Sequence, residues 1–116
     1  MRHGRLFVSG RATGVRVALA ESARERLRGL LGRDALAEDE ALLLERCASV
    51  HTFGMRFPID VLFVNREGRV LAVHREVRAW RVLMHWRGAR TLEMAAGAAA
   101  RHRIGPGATI VLGDLT

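Results

Sequence analysis

Residues 61–77, VLFVNREGRVLAVHREV, decide the fold of this chain. Residues 61–64 are an apolar run of residue types that favour strands, and residues 65–68 (NREG) have the composition of a turn. Residues 70–77 resume the apolar pattern after this turn. The stretch therefore predicts a β-hairpin.

Further strand signals lie on both sides of the hairpin. Residues 14–19 (GVRVAL) alternate between apolar and other side chains, as a half-buried strand does. Residues 78–90 have no clean period and are predicted to form an irregular connection. The other strand candidates are the short apolar segments 41–44, 91–94 and 109–112.

One helix is clearly signalled, over residues 22–31. Ser22 and Glu25 have the spacing of a capping box, in which each side chain satisfies a free backbone N–H of the first turn. Leucines follow at helical spacing, and Gly32 is a plausible left-handed end. The alanine-rich segment 95–102 is compatible with a second, short helix.

These elements predict one compact domain over residues 1–116. The order of the elements points to an α+β fold that is rich in β-structure, with mostly antiparallel strands. A hydrophobic content of 49% is sufficient for a core without metals or disulfides at this length. The single cysteine excludes an internal disulfide.

The chain is strongly basic, with a formal net charge of +7. All 19 basic residues are arginines, but they are spread along the sequence and never form a run. Nucleic-acid binding is not favoured, because few aromatic side chains accompany them. No apolar run reaches the roughly 20 residues of a membrane span, and the first residues lack the pattern of a signal peptide. We expect a soluble, cytoplasmic protein.

Metal binding is not predicted, and neither is a cofactor. Cys47 and His51 are four residues apart, a spacing that brings two side chains together only on a helix. Two ligands do not make a zinc site, which takes three or four protein ligands, and the sequence has no paired metal-binding motif.

Thiol chemistry is an alternative, because Cys47, His51 and Asp60 are of the types that nucleophilic catalysis uses. Each also has a structural interpretation. Cys47 fits a buried core position, and His51 fits a hydrogen-bonded strand edge. Asp60 is expected to pair with an arginine such as Arg56, and Asp60→Asn to cost about 1–3 kcal/mol of stability.

Trp80, Arg81 and Glu93 are the other amphipathic or charged residues next to apolar segments. Arg81 is suited to clamping a carboxylate or phosphate in two parallel hydrogen bonds, with Trp80 as the floor of a pocket. Alternatively, Trp80 fills the core and Arg81 pairs with Glu93.

Several short motifs resemble a known family. They are GLLGR at 29–33, Cys47 followed by HTFGM, PIDVLFV at 58–64, Trp80-Arg81, TLEM at 91–94, Gly97, and the segment 105–110. In this order they are similar to the prokaryotic family called domain of unknown function 192, over roughly residues 25–112. The resemblance implies a small β-rich domain with a short helix, no settled activity, and Met55, Asp60 and Glu93 as signature positions.

The function predicted from the residues is that of a non-catalytic binding module for a small anionic or peptide-like ligand. The pocket is expected between the loop 51–60 and the Trp80-Arg81 connection. The residues expected to bind the ligand are His51, Thr52, Met55, Asp60, Trp80, Arg81 and Glu93. The alternatives are a thiol-dependent enzyme using Cys47 and His51, and a structural or protein-partner domain with an exposed apolar patch.

Overall fold

A computed structural model describes residues 1–116 as nine strands and two short helices. In chain order the elements are β1 (Arg2–Val8), β2 (Arg11–Ala20), α1 (Ala23–Arg28), β3 (Glu40–Leu44), β4 (Ser49–His51), β5 (Ile59–Val64), β6 (Val70–Val77), β7 (Val82–Met84), β8 (Arg90–Ala95), α2 (Ala98–Arg101) and β9 (Ile110–Gly113). Neither helix is long enough to cross a membrane. The prediction of a β-rich fold is confirmed, although strands outweigh helices more than an α+β label suggests.

Seven strands form one sheet in the order β6-β5-β8-β3-β2-β1-β9. Every neighbouring pair is antiparallel except β2 and β3, which are parallel. The predicted hairpin is confirmed as β5 and β6, and all residues of β5 are buried. The core fills the inside of the curled sheet, with Phe63, Leu43 and Leu92 fully buried.

The sheet curls until its two edges meet. The N–H of Val70 donates to the carbonyl of Ala108, and the N–H of Ile110 donates to the carbonyl of Gly68, both at 2.8 Å. Gly68 has a φ of +89°, and a Cβ there would lie 2.5 Å from the Ile110 carbonyl oxygen. Only glycine suits this position, because the edges approach too closely for a side chain.

The remaining strands, β4 and β7, form a separate antiparallel ribbon. Val50 and Leu83 face each other in it, are half-buried and pack against the core. The prediction of an irregular connection over residues 78–90 is therefore wrong for Val82–Met84. The sequence does not signal this strand, because its inward-facing and outward-facing side chains are all apolar and therefore show no alternation.

Both helices are shorter than predicted. The capping box of Ser22 and Glu25 is confirmed, but α1 ends at Arg28 and not at residue 31. Gly29 ends the helix three residues before Gly32, with a positive φ of 49° and a ψ of −126°, and donates its N–H to the Glu25 carbonyl. α2 covers only Ala98–Arg101 of the predicted 95–102, because β8 continues to Ala95 and Gly97 has a φ of 89°.

The capping box makes a first testable prediction. The Glu25 N–H donates to Ser22 Oγ at 3.1 Å, and the Ser22 N–H donates to Glu25 Oε1 at 3.0 Å. The backbone N–H of Ser22 lowers the pKa of the Glu25 carboxyl. We expect Ser22→Ala to lower the free energy of unfolding by about 1 kcal/mol, measured by urea denaturation. Arg24→Ala, an exposed change on the same helix, should have a smaller effect; equal effects would contradict the assignment of the cap.

Candidate functional site

A cavity of about 300 Å³ lies between α1, the turn that follows it, and β4. Its lining is mixed, and the apolar side chains are Ala23, Leu27, Leu30, Leu31, Leu44, Val50 and Met55. The polar lining consists of Arg26, Arg28, Cys47, Ser49, His51 and Glu93. The cavity therefore brings together four residues that the sequence singled out, which are Cys47, His51, Met55 and Glu93.

Glu93 is the unusual residue of this cavity. It comes from the central strand β8, and it is only 7% exposed. Desolvation by burial raises the pKa of its carboxyl from 4.5 to about 7, and no hydrogen bond or ion pair with the protein offsets the burial. Glu93 Oε1 lies 4.0 Å from the position that a Cβ at Gly29 would occupy. Because Gly29 has no side chain, the end of α1 does not cover the Glu93 carboxyl.

Cys47 and His51 line the same cavity, but no hydrogen bond joins their side chains. Cys47 is half-buried, and its thiol donates to the Ser49 carbonyl at 3.1 Å, not to the His51 ring. No group of three or more His, Cys, Asp and Glu side chains is placed to hold a metal ion.

One edge of β4 has no neighbouring strand. The Thr52 N–H donates to the Arg81 carbonyl, and the His85 N–H donates to the Ala48 carbonyl. In an antiparallel ladder the bonded pairs alternate, so the even-numbered residues of this segment bond to β7. The backbone groups of Ser49 and His51 therefore point to the opposite edge. Both residues line the cavity, so this free edge borders it.

Met55 and Thr52 lie in the loop after β4, in different environments. Met55 is half-buried and lines the cavity. Thr52 is buried and braces the loop against the segment before β7. Its hydroxyl donates to the Arg78 carbonyl at 2.7 Å and accepts the Arg81 N–H at 2.9 Å. Gly54 lies next to the turn that follows α1, and a Cβ there would lie 3.5 Å from Leu31 Cδ2.

Asp60 is fully buried and does not line the cavity. Its Oδ1 accepts the Glu76 N–H and its Oδ2 accepts the Ala99 N–H, both at 2.9 Å. The arginine partner predicted for Asp60 is not found. Arg56 instead donates to exposed Asp34 at 2.7 Å. Two backbone amides satisfy the carboxylate where the sequence suggested a guanidinium, because the bulge of β6 and the start of α2 lie beside it.

Trp80 and Arg81 do not line the cavity either. Trp80 is 71% exposed, with its ring 5.4 Å from that of Phe53, so it does not fill the core. Arg81 is exposed, and it forms no ion pair with Glu93. Of the residues predicted to bind a ligand, His51, Met55 and Glu93 share the cavity, whereas Thr52, Asp60, Trp80 and Arg81 lie elsewhere.

The sequence reasoning missed the helical wall of the cavity. Leu27, Leu30 and Leu31, a stripe of leucines at helical spacing, line the cavity with β4 on its other side, although Leu27 is 78% exposed. The signal that points to them is Gly29, which interrupts this stripe and stands next to Glu93.

Comparisons with known proteins agree on the fold. A solved structure of a protein of unknown function from Novosphingobium aromaticivorans DSM 12444 has a TM-score of 0.79 and 25% identity, over 92% of this chain and 83% of that chain. A second structure, from Sinorhizobium meliloti 1021, is described as a "putative transcription regulator". It has a TM-score of 0.84 and 25% identity, over 96% of this chain and 92% of that chain. No curated protein matches the chain.

The family comparison covers almost all strands of the sheet. The matching family model is domain of unknown function 192, described as "Uncharacterized ACR", and it matches residues 5–112. This range includes the cavity, Glu93 and the buried Asp60. The chain therefore belongs to the domain of unknown function 192 family.

Proposed function

We propose that this protein is a non-catalytic binding module for a small peptide-like ligand, which occupies the cavity between α1 and β4. One observation carries the proposal: Glu93 places a buried carboxyl, without a hydrogen-bond or ion-pair partner, at the wall of the cavity. A buried ionised group without a partner is costly, so proteins retain few of them outside functional sites.

The Glu93 carboxyl in its ionised form, which an N–H donor or an ammonium group would stabilise, selects between the two ligand classes predicted from the sequence. A carboxylate accepts hydrogen bonds from N–H groups and attracts ammonium groups, and it repels an anion. Arg26 and Arg28 also line the cavity, but neither pairs with Glu93, and Arg26 donates to the Glu21 carbonyl at 2.6 Å. The peptide-like class is therefore favoured over the anionic class.

The free edge of β4 supports an extended ligand. The Ser49 N–H and the backbone groups of His51 lack a neighbouring strand and can bond a peptide that adds to the ribbon as a third strand, while the Ser49 carbonyl already accepts the Cys47 thiol. A volume of about 300 Å³ is at the lower end of the range for ligand sites. The cavity accordingly suits one or two apolar side chains, with an N–H donor directed at Glu93.

The test is a titration of the ¹⁵N-labelled protein with short leucine- and phenylalanine-containing peptides, followed by NMR. Each peptide is used with a free and with an acetylated amino terminus. We expect shifts at Gly29, Ser49 and His51, and tighter binding of the free amine. Glu93→Gln should weaken binding of the free amine about tenfold or more, because a charge-assisted hydrogen bond is lost.

Two variants serve as controls for this titration. Glu67→Gln removes an exposed carboxylate from the β5–β6 turn and should leave affinity unchanged. Cys47→Ser should also bind, whereas a thiol-dependent enzyme would require Cys47 and show faster alkylation by iodoacetamide than a denatured control. The proposal fails if no peptide shifts these amides, or if Glu93→Gln binds the free amine as well as the parent does.

A further inference from the structure

The outer face of the β4–β7 ribbon carries an exposed apolar stripe. It consists of Trp80, Val82, Met84 and Trp86, which are 71%, 66%, 71% and 81% exposed. Both tryptophans of the chain belong to it. At this exposure the two rings alone present roughly 300 Å² of mostly apolar surface, which already reaches the size of the largest patch on many monomeric proteins.

The alternation of β7 directs the stripe away from the protein. Leu83 packs against the core, and the ring of His85 lies 6.1 Å from that of buried Phe63. Their neighbours in the ribbon, Val82 and Met84, must therefore face outward. Neither the core nor the cavity uses the stripe.

An aromatic row extends the stripe across the ribbon to β4. The ring of Phe53, which is 42% exposed, lies 5.4 Å from Trp80 and 5.1 Å from His51. His51 stands opposite Val82 in the ladder. These contacts join Phe53 and His51 to the Trp80 end of the stripe.

The charged residues that flank the stripe in sequence are basic. Residues 78–92 contain four arginines and no acid. Arg78, Arg81 and Arg87 are exposed, and none of them forms an ion pair. The Arg87 guanidinium lies 4.4 Å from the centre of the Trp86 ring. The charges flanking the patch therefore remain available to an anionic partner.

We propose that the stripe binds the surface of an anionic membrane, with the tryptophan rings at the level of the headgroups and the flanking arginines on lipid phosphates. Tryptophan and arginine are the side chains suited to this boundary, because each combines an apolar body with a polar end. A second copy of the chain is a poorer partner, since pairing two such faces brings arginines together. Single-stranded nucleic acid is also poorer, because Val82 and Met84 at the centre offer no ring for stacking.

The test is co-flotation of the purified protein with vesicles at physiological ionic strength. Vesicles of phosphatidylcholine alone are compared with vesicles containing about one-third phosphatidylserine. We expect binding only to the anionic vesicles, a blue shift of tryptophan fluorescence, and quenching by lipids brominated in the acyl chain. Trp80→Ser/Trp86→Ser should abolish detectable binding, and Arg78→Gln/Arg81→Gln should weaken it about tenfold or more.

Matched controls keep the test specific to this face. Val111→Ser removes another exposed apolar side chain, and Arg16→Gln/Arg24→Gln removes two exposed arginines elsewhere. Both should bind as the parent does, and all variants should melt cooperatively.

Three results would overturn the proposal. One is equal binding of the parent and the tryptophan variant to anionic vesicles. Another is a parent that is dimeric in light scattering and becomes monomeric in the tryptophan variant, which would identify a second copy as the partner. The third is binding to oligonucleotides without binding to vesicles.

Discussion

Asp60→Ala is expected to lower the free energy of unfolding by about 3–5 kcal/mol. The Asp60 carboxylate accepts the N–H groups of Glu76 and Ala99 at 2.9 Å, and the side chain is fully buried. Alanine leaves both donors unsatisfied in the interior, and each such loss costs about 1–3 kcal/mol. The melting temperature should fall by about 10 °C or more. Urea denaturation and thermal melts measure the effect.

The position of these two donors explains why the effect should be large. Ala99 lies in the first turn of α2, whose N-cap is Gly97 and has no side chain to cap the helix. Glu76 has a φ of 50° in the irregular part of β6. Asp60 thus supplies the missing cap and fixes the bulge from a neighbouring strand. Asp60→Asn retains an acceptor but turns an N–H₂ group towards an N–H donor, so a smaller loss of about 1–3 kcal/mol is expected.

The control for Asp60 is Asp34→Ala. Asp34 is 86% exposed at its side chain and pairs with Arg56 at 2.7 Å, and such surface pairs contribute little. We expect a change of no more than about 0.5 kcal/mol. An Asp60→Ala variant that melts like the parent would refute the structural role of this carboxylate.

Glu93→Gln is expected to stabilise the protein by about 2–3 kcal/mol near pH 8 and to have little effect near pH 4. Burial raises the pKa of the Glu93 carboxyl from 4.5 to about 7. The folded state therefore holds the proton more tightly than the unfolded state. The stabilisation that comes from this tighter proton binding by Glu93 is fully present below pH 4.5 and is lost as the pH rises to about 7. Glutamine is neutral at all pH values and escapes this loss.

The measurement is urea denaturation of the parent and the variant across this pH range. The difference between them isolates Glu93 from other titrating groups, such as the five histidines. Glu67→Gln, on an exposed turn, should follow the parent at every pH. If the free energy of unfolding changed with pH in the same way for the parent and Glu93→Gln, the Glu93 carboxyl could not be buried without a partner. A gain in stability would show that the residue is retained at a cost to the fold, as binding residues are.

Local parts of the fold were predictable from the sequence. The capping box of Ser22 and the hairpin of β5 and β6 depend on residues a few positions apart, so their signals lie within one window. The parallel pairing of β2 with β3 and the strand β1 left no such signal. Their partners are selected by tertiary contacts, which periodicity does not contain.

The site was only partly predictable for the same reason. Cys47, His51 and Met55 are close in sequence, and they meet at the cavity. Glu93 and Gly29 are close only because the fold places the end of α1 next to β8. The spacing of residues in the sequence does not show this. Asp60 was recognised as a sheltered acid in need of a partner, but its backbone donors come from two other elements.

The joined edges of the sheet have a consequence for how the chain is made. The strand β9 is the last in chain order, yet it pairs with β1, and the segment before it bonds to the start of β6. Until β9 has been synthesised, β1 presents an unpaired edge and the start of β6 lacks its partner segment, which favours association with other chains. Folding to completion must therefore follow translation of residues 110–113, and chains truncated before them should aggregate.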